Sequence, residues 1–467
     1  MAELWRHALS RRQFLRVAGL TGSAALLVAC APTAAPPPTT APKPAATTAP
    51  AAPAATVAAT TAPAAAATQA PAKAGTKVTL EMWSHFAGKN LEILQQNITE
   101  YQKANQEIEF KVTAIGPGEI LTKYMAAVAG GQPPDIYHSP AWTPPDLALG
   151  GVLAPLDDIV KLPNPQLKNY DGITIYEGKR YGVPVNGGLG AMAYNKDLLG
   201  AAGVAKVPET WDELVTASQK MTKGPEGQWG ILLPNKPDGV TTQTIWSLFM
   251  SNGVEMLSKD GTQPAFNTPE AIEVYQWAAD LIQKHKVQPV KSYGQLDTWN
   301  DYGTGKIGAV NLYPVWLANI QTFKFKTVTG QMPKKKGPGS QFAGNYFTLS
   351  ATKAKEKGKA FADWCAWWHD PKRNATFCSM TGGMPVSQAV IDTDIYQKYL
   401  KDEPAAKAYV DSLTYARPFP GVMGMTGVNV ILGEAWESTV LGKSTAKEAL
   451  AAAEKRAADE LKRAQKR

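Results

Sequence analysis

Val78-Thr79-Leu80-Glu81-Met82-Trp83 alternates apolar and polar side chains at the two-residue period of a β-strand, and the segments after it set the fold class. Asn90 to Lys103 reads as a helix, and Ile108, Phe110 and Val112 alternate as a second strand. Gly118 to Ala129 reads as a second helix, and Asp135-Ile136-Tyr137-His138 as a third short strand. Strand, helix, strand, helix, strand implies a parallel, doubly wound sheet, because parallel neighbours need a crossover that a helix supplies. In such sheets ligands bind in the crevice beyond the carboxyl ends of the strands. The segments at those ends are Trp83-Ser84-His85-Phe86 and Ser139-Pro140-Ala141-Trp142, aromatic and polar with no clustered acid–base residues. Trp83, His85, Ser139 and Trp142 are therefore candidate ligand contacts. Aromatic packing at the sheet edge is the competing role for either segment alone; their joint occurrence at two strand ends favours a site.

Upstream of this region the chain carries address information. Ser10-Arg11-Arg12-Gln13-Phe14-Leu15 resembles a twin-arginine export signal, a short apolar run comes next, and Leu27-Val28-Ala29-Cys30 resembles a bacterial lipobox. Residues 1–29 are thus expected to be a signal peptide and Cys30 the lipid-bearing first residue, tying the protein to the membrane on its extracytoplasmic side. The apolar run is too short to span a bilayer. From Ala31 to about Gly75 the chain is almost entirely Ala, Pro and Thr, with too few large apolar side chains to offset the entropy of ordering. Residues 30–75 are read as a disordered tether that reaches at most ~140 Å if extended as polyproline II.

Cleavage after residue 29 removes four Arg and one Glu, which takes the net charge from +8 to +5. That charge is spread along the chain rather than concentrated with aromatics, so nucleic acid is not an expected partner. Cys365 and Cys378 lie thirteen apart across His369-Asp370-Pro371, read as a break between two helices. An oxidising compartment permits a disulfide there, and the apolar surroundings of Cys365 equally suit a buried thiol. No Cys-x-x-Cys or His-Glu-x-x-His is present, and no metal or cofactor is expected. In the tail, Leu450, Ala453, Ala457 and Leu461 recur at helical spacing and suggest a solvated terminal helix.

A longer-range pattern lies downstream. Tyr176-Glu177-Gly178-Lys179-Arg180-Tyr181-Gly182-Val183-Pro184 precedes Tyr194-Asn195-Lys196-Asp197-Leu198-Leu199, Ala202-Gly203-Val204 and Pro208-Glu209-Thr210-Trp211-Asp212-Glu213-Leu214. In this order and spacing the set resembles the extracellular solute-binding proteins of ABC importers, the carbohydrate-type family that includes maltose-binding protein. Gly130 to Ile136, Leu153 to Asp158, Asn267 to Val274 and Gly382 to Val386 agree with it. Several of these residues read as architecture: Thr210 with Glu213 forms a capping box, and Thr268 with Pro269 opens another helix. Trp211 and Glu213 are accordingly left out of the ligand site.

The resemblance implies an α/β, two-lobed periplasmic-binding-protein fold, each lobe a mostly parallel sheet flanked by helices, with the ligand cleft between lobes. Carried onto this chain, the first lobe is 76–186 plus 345–380 and the second 187–344 plus 381–467. Gly187, Gly188, Gly344, Gly382 and Gly383 fall at the crossings and are the expected hinge. Asn186, Asn345 and Tyr346 line the cleft floor. Gly305 to Val310 resembles the family's small-residue strand and leads into Tyr313-Pro314-Val315-Trp316, of which Tyr313 and Trp316 are contacts. Trp246, Met423 and Met425 are secondary candidates, whereas Trp364, Trp367 and Trp368 share one helix and are read as packing.

Aromatic planes suit the C–H faces of a sugar ring, and amide groups suit its hydroxyls. The expected ligand is a small molecule, a sugar or oligosaccharide, delivered to ABC permease subunits by a monomeric protein. Maltodextrin binders carry an acidic residue just upstream of the Tyr-Asn-Lys-Asp motif, where this chain has Asn186-Gly187-Gly188, so maltose itself is not implied. A glycerol phosphate, a polyamine, or a non-transport sensor or adhesin role on the same fold stay open. The chosen segments lack the acidic groups a polyamine wants and the Gly-rich loop a phosphate wants. Neither paired cleft carboxylates nor Gly-x-Ser-x-Gly is evident, so no enzyme activity is expected.

Overall fold

The structure, a computed structural model, describes residues 77–116, 119–139 and 144–466. The expected signal peptide (1–29), the expected lipid-bearing Cys30 and tether (30–75) and Trp142 lie outside the described residues. The first strand, β1 (Val78–Ser84), buries Leu80 and Met82 as its alternation demands, and α1 (Gly88–Ala104) returns the chain with Ile93, Leu94, Ile98 and Tyr101 inward. The second strand, β2 (Ile108–Ala114), helix α2 (Ile120–Ala129) and β3 (Ile136–Ser139) complete the expected run. Both β2 and β3 pair with β1 in parallel. Helix α3 (Pro144–Leu149) comes next.

The same sheet then gains strands of the opposite direction. Strand β4 (Val183–Leu189) is buried along its whole length, and a later strand, Gln341–Leu349, runs antiparallel between it and β3. In that register Asn345 faces Asn186 and Gly344 faces Gly187. Strand β5 (Ala191–Asn195) leaves β4 almost at once and is the centre of a second sheet, flanked antiparallel by β6 (Ala309–Leu312) and β7 (Thr327–Gly330). This departs from a mostly parallel second sheet; parallel bridges enter it only at its margin, as at Leu232↔Val310. The Gln341–Leu349 strand is β8, and Arg417–Pro418 pairs with its start as β9.

Helices α4 (Trp211–Met221), α5 (Gly239–Ser251) and α6 (Pro269–Gln283) pack a second core around Trp211, Phe249 and Tyr275. The capping box of Thr210 and Glu213 forms, and Thr268 caps α6 with Pro269 at its start, each where the sequence puts it. Helix α7 (Gln295–Gly303) precedes β6. Helices α8 (Ala354–Trp368) and α9 (Pro371–Thr381) break at His369-Asp370, and Trp364 and Trp368 are buried against Phe347 and Phe377. Cys365 and Cys378 are free, buried thiols. The last two helices, α10 (Met425–Val440) and α11 (Ala446–Ala464), lie against one another. The terminal helix is solvated on one side only, since Leu450, Ala453, Ala457 and Leu461 are in the second core. Among the described residues no helix is long and apolar enough to cross a membrane.

Candidate functional site

The carboxyl ends of β1 and β3 bring two histidines together. His85 lies just past β1, and its Nδ1–H donates to the His138 carbonyl at 3.0 Å, with the rings 4.6 Å apart. That donation leaves the His85 Nε2 as an acceptor in the neutral ring. His138 is fully buried; its Nδ1 is 2.9 Å from the Ser84 hydroxyl and its Nε2 has no hydrogen-bond partner. Burial pushes the His85 ring down to about 4, against the opposing His138 carbonyl and Asn345 side chain. Burial and then the neighbouring His85 hold His138 well below the usual histidine range. Both rings are therefore uncharged at neutral pH.

Asn345 extends this cluster toward the strand crossing. Its amide N–H donates to the Asn186 Oδ1 at 2.8 Å, across the register pair that β4 and β8 create. Asn186 is only 1% exposed, and its Nδ2 has no hydrogen-bond partner. The glycines of the third crossing fit closely around it. A Cβ on Gly383 would come within 2.3 Å of that Nδ2, and one on Gly382, where φ is +76°, within 2.1 Å of the Pro314 carbonyl. No side chain fits either place, so these two positions are held by close approach as well as by dihedral freedom.

Pro314 belongs to the turn that leaves β6, so the contact joins the histidine–asparagine cluster to the second sheet. There Trp316 is half-buried and lies 4.3 Å from Trp299, whose indole N–H donates to the Asn311 carbonyl at 3.0 Å. The Asn311 amide donates to the Thr244 hydroxyl on α5 at 2.7 Å. The Asn311 Oδ1 and the Tyr313 hydroxyl lie 3.0 and 3.4 Å from where a Gly190 Cβ would sit. The two atoms are buried neighbours. Burial first, and the Asp238 charge next, push the Tyr313 phenol well above its ordinary value. The Asp238 carboxylate caps α5 through the Thr241 N–H at 2.8 Å and also accepts the Gln295 N–H of α7 at 2.9 Å.

The structure thus brings His85, Asn345 and Asn186 together at the strand crossing, and the Pro314 turn meets it at Gly382, while Tyr313 and Trp316 flank that turn against Trp299. Ser139 is buried at the end of β3, paired in register with Tyr346. Trp83 is half-buried against the cluster of Ile115, Tyr124 and Tyr137. The remaining candidates sit elsewhere: Tyr346 is fully buried in the first core, Trp246 packs edge-on to Phe419, Met425 is buried and Met423 half-buried. His138, Asn311, Thr244 and Asp238 were not singled out in sequence. His138 and Asn311 had one available signal, a polar residue inside an otherwise apolar strand. An open depression of about 790 Å³ lined by Lys196, Phe323, Lys324, Phe325 and Lys326 shares none of these residues. Its width and exposed lysines suit solvent.

Residues 87–366 match the family described as bacterial extracellular solute-binding protein. The chain belongs to that family. It is 23% identical over 403 residues to the mannitol-binding protein of Pseudomonas aeruginosa, covering 80% of this chain and 86% of that one. Among solved structures it is similar to the cyclic alpha-maltosyl-1,6-maltose binding protein of Arthrobacter globiformis, with TM-score 0.71 and 24% identity over 83% of this chain and all of the other. It also resembles a Mycobacterium tuberculosis binding protein solved with glycerophosphocholine, with TM-score 0.75 and 21% identity over 83% of this chain and 99% of that one. These likenesses place the two sheets and their cores in the two-lobed fold of binding proteins.

Proposed function

We propose that this solute-binding protein captures a neutral sugar or oligosaccharide at the strand crossing and hands it to the permease of an ABC importer. The observation that carries this reading is the charge state of the groups that converge. His85 and His138 are held uncharged, Asn186 and Asn345 are amides, and Tyr313 is a protonated phenol beside Trp316. Such a set offers neutral donors and acceptors with an aromatic plane, which matches hydroxyls and C–H faces rather than a formal charge. A phosphate ester would want a cation or a free helix N-terminus; the N-terminus of α5 is occupied by Asp238. The mannitol and cyclic maltosyl-maltose specificities of the relatives agree with a polyhydroxylated ligand.

In this reading 76–186 plus 345–380 and 187–344 plus 381–467 are the lobes that close on the ligand, with Gly187, Gly188, Gly344, Gly382 and Gly383 between them. Trp83, Ser139 and Trp142 complete the first wall. The protein works as a monomer outside the cytoplasm, held by lipid on Cys30 after twin-arginine export and free to reach along its tether. A thermal-shift screen of neutral mono- and oligosaccharides beside glycerol 3-phosphate, glycerophosphocholine and spermidine tests the reading. Stabilisation by one or more neutral sugars is expected; stabilisation by a charged solute alone refutes it.

A further inference from the structure

Helix α10 begins without a side chain of its own to cap it. Its N-cap is Gly424 at φ +87°, where a Cβ would come within 2.9 Å of the Ala464 Cβ on α11, so the position takes none of the usual capping residues. The cap comes from 278 positions away: the Asp146 carboxylate accepts the Gly424 N–H at 2.7 Å, and it accepts the Thr426 hydroxyl at 2.6 Å. Asp146 belongs to α3, whose Leu147 and Ala148 pack with Ile115, Tyr124 and Tyr137 beside the first sheet. Helix α10 buries Val428, Leu432 and Trp436 in the second core. One carboxylate therefore joins two separately packed bodies. Pro145, Tyr176, Phe419 and Met425 line a narrow space nearby. The Tyr176 phenol is pushed well above its ordinary value by burial and then by the Asp146 charge.

Position matters as much as strength. Helix α3 starts directly after the segment that carries Ser139 and Trp142, and α10 starts directly after Met423. The contact lies where the first-sheet ligand wall ends and the helix bounding the second core begins. When the two bodies part, the first N–H groups of α10 lose a charged acceptor and turn to water.

We propose that Asp146 is a positioning residue for ligand capture, a latch that completes the α10 cap only when the lobes are together and so prolongs the closed state. This rests on the two-lobed capture reading above, and Asp146 acts without touching ligand. Amide hydrogen exchange on the full-length chain, with no ligand added, tests it through both sides of the contact. The latch acts on the ligand-free equilibrium as well, so the parent, which samples the closed state, exchanges 144–152 and 422–430 more slowly than the variants do. Asp146→Ala speeds exchange in 422–430, and Thr426→Val speeds exchange in 144–152, each by about three- to tenfold, while 78–84 and 446–464 keep the parental rate. Asp146→Asn, which keeps one acceptor oxygen, falls between. Small-angle scattering of the ligand-free Asp146→Ala chain separates a latch from a static brace: the latch predicts a larger radius of gyration than the parent's, and an unchanged value overturns it. Parental exchange in 144–152 for folded Thr426→Val, or in 422–430 for folded Asp146→Ala, overturns the latch. No sugar enters this measurement, so the latch and the sugar reading succeed or fail separately.

Discussion

Replacing His369 by Gln should flatten the acid limb of stability. His369 ends α8 at 1% exposure, its Nε2–H donates to the Pro184 carbonyl at 2.8 Å, and its Nδ1 is buried with no partner. A second proton on this ring would have no acceptor. Burial, with a smaller contribution from the Arg180 charge, takes the ring from 6.5 to about 4 despite the Pro184 carbonyl. For a base held neutral by the fold, the unfolded chain binds the proton first as pH falls. The contribution of His369 is therefore intact above about pH 6.5, declines between there and about 4, and falls no further below. That span is worth about 3 kcal/mol at roughly 1.4 kcal/mol per pKa unit. Gln keeps a side-chain N–H for Pro184 and cannot titrate, and the carboxylates common to both proteins cancel in the comparison. Urea unfolding at pH 7.5, 5.5 and 4.5 should show the parent losing about 2.5 kcal/mol more than His369→Gln, because pH 4.5 lies short of the end of that span. Parallel losses in the two proteins would show that His369 is not held neutral by the fold.

Thr210→Ala removes a capping box in which Thr210 Oγ accepts the Glu213 N–H at 3.2 Å and Glu213 accepts the Thr210 N–H at 3.1 Å. It should lower stability by about 1 kcal/mol by urea unfolding and leave ligand affinity unchanged; a loss of affinity would place α4 in the site. Cys30→Ala should move the protein from membrane to soluble fractions, and full retention on membranes would contradict lipid attachment there.

What the sequence disclosed depended on how local each signal was. The alternation at Val78, Leu80 and Met82 and the spacing in 90–103 each lie within one element, so β1, α1 and β2 could be read directly. The antiparallel insertion of β8 between β3 and β4 joins segments about 150 residues apart on one side and about 210 on the other, and no local period announces it. Gly382 and Gly383 suggested dihedral freedom, whereas the structure adds a steric reason in Pro314 and Asn186 that only the fold supplies. The pairing of Asn186 with Asn345 lies beside the crossing glycines that the sequence marks. His138 is silent in sequence, since a polar residue in a short apolar run reads as strand composition until burial is known. Asn311 was hidden for the same reason. Trp246 and Tyr346 show the converse: prominent aromatics whose burial puts them in the cores. The α10 cap is invisible in sequence because its donor and acceptor lie 278 positions apart.

The account stands most directly on calorimetric titration of a neutral sugar identified by thermal shift into the parent, Asn345→Ala, Trp316→Ala and Thr210→Ala. Truncating Trp316 removes an aromatic plane tilted against Trp299, and truncating Asn345 removes the donor to the buried Asn186 Oδ1. Each should weaken binding by about 1–3 kcal/mol, roughly ten- to a hundredfold in Kd, while Thr210→Ala binds as the parent does. Parental affinity in both folded site variants would contradict a ligand site at this strand crossing.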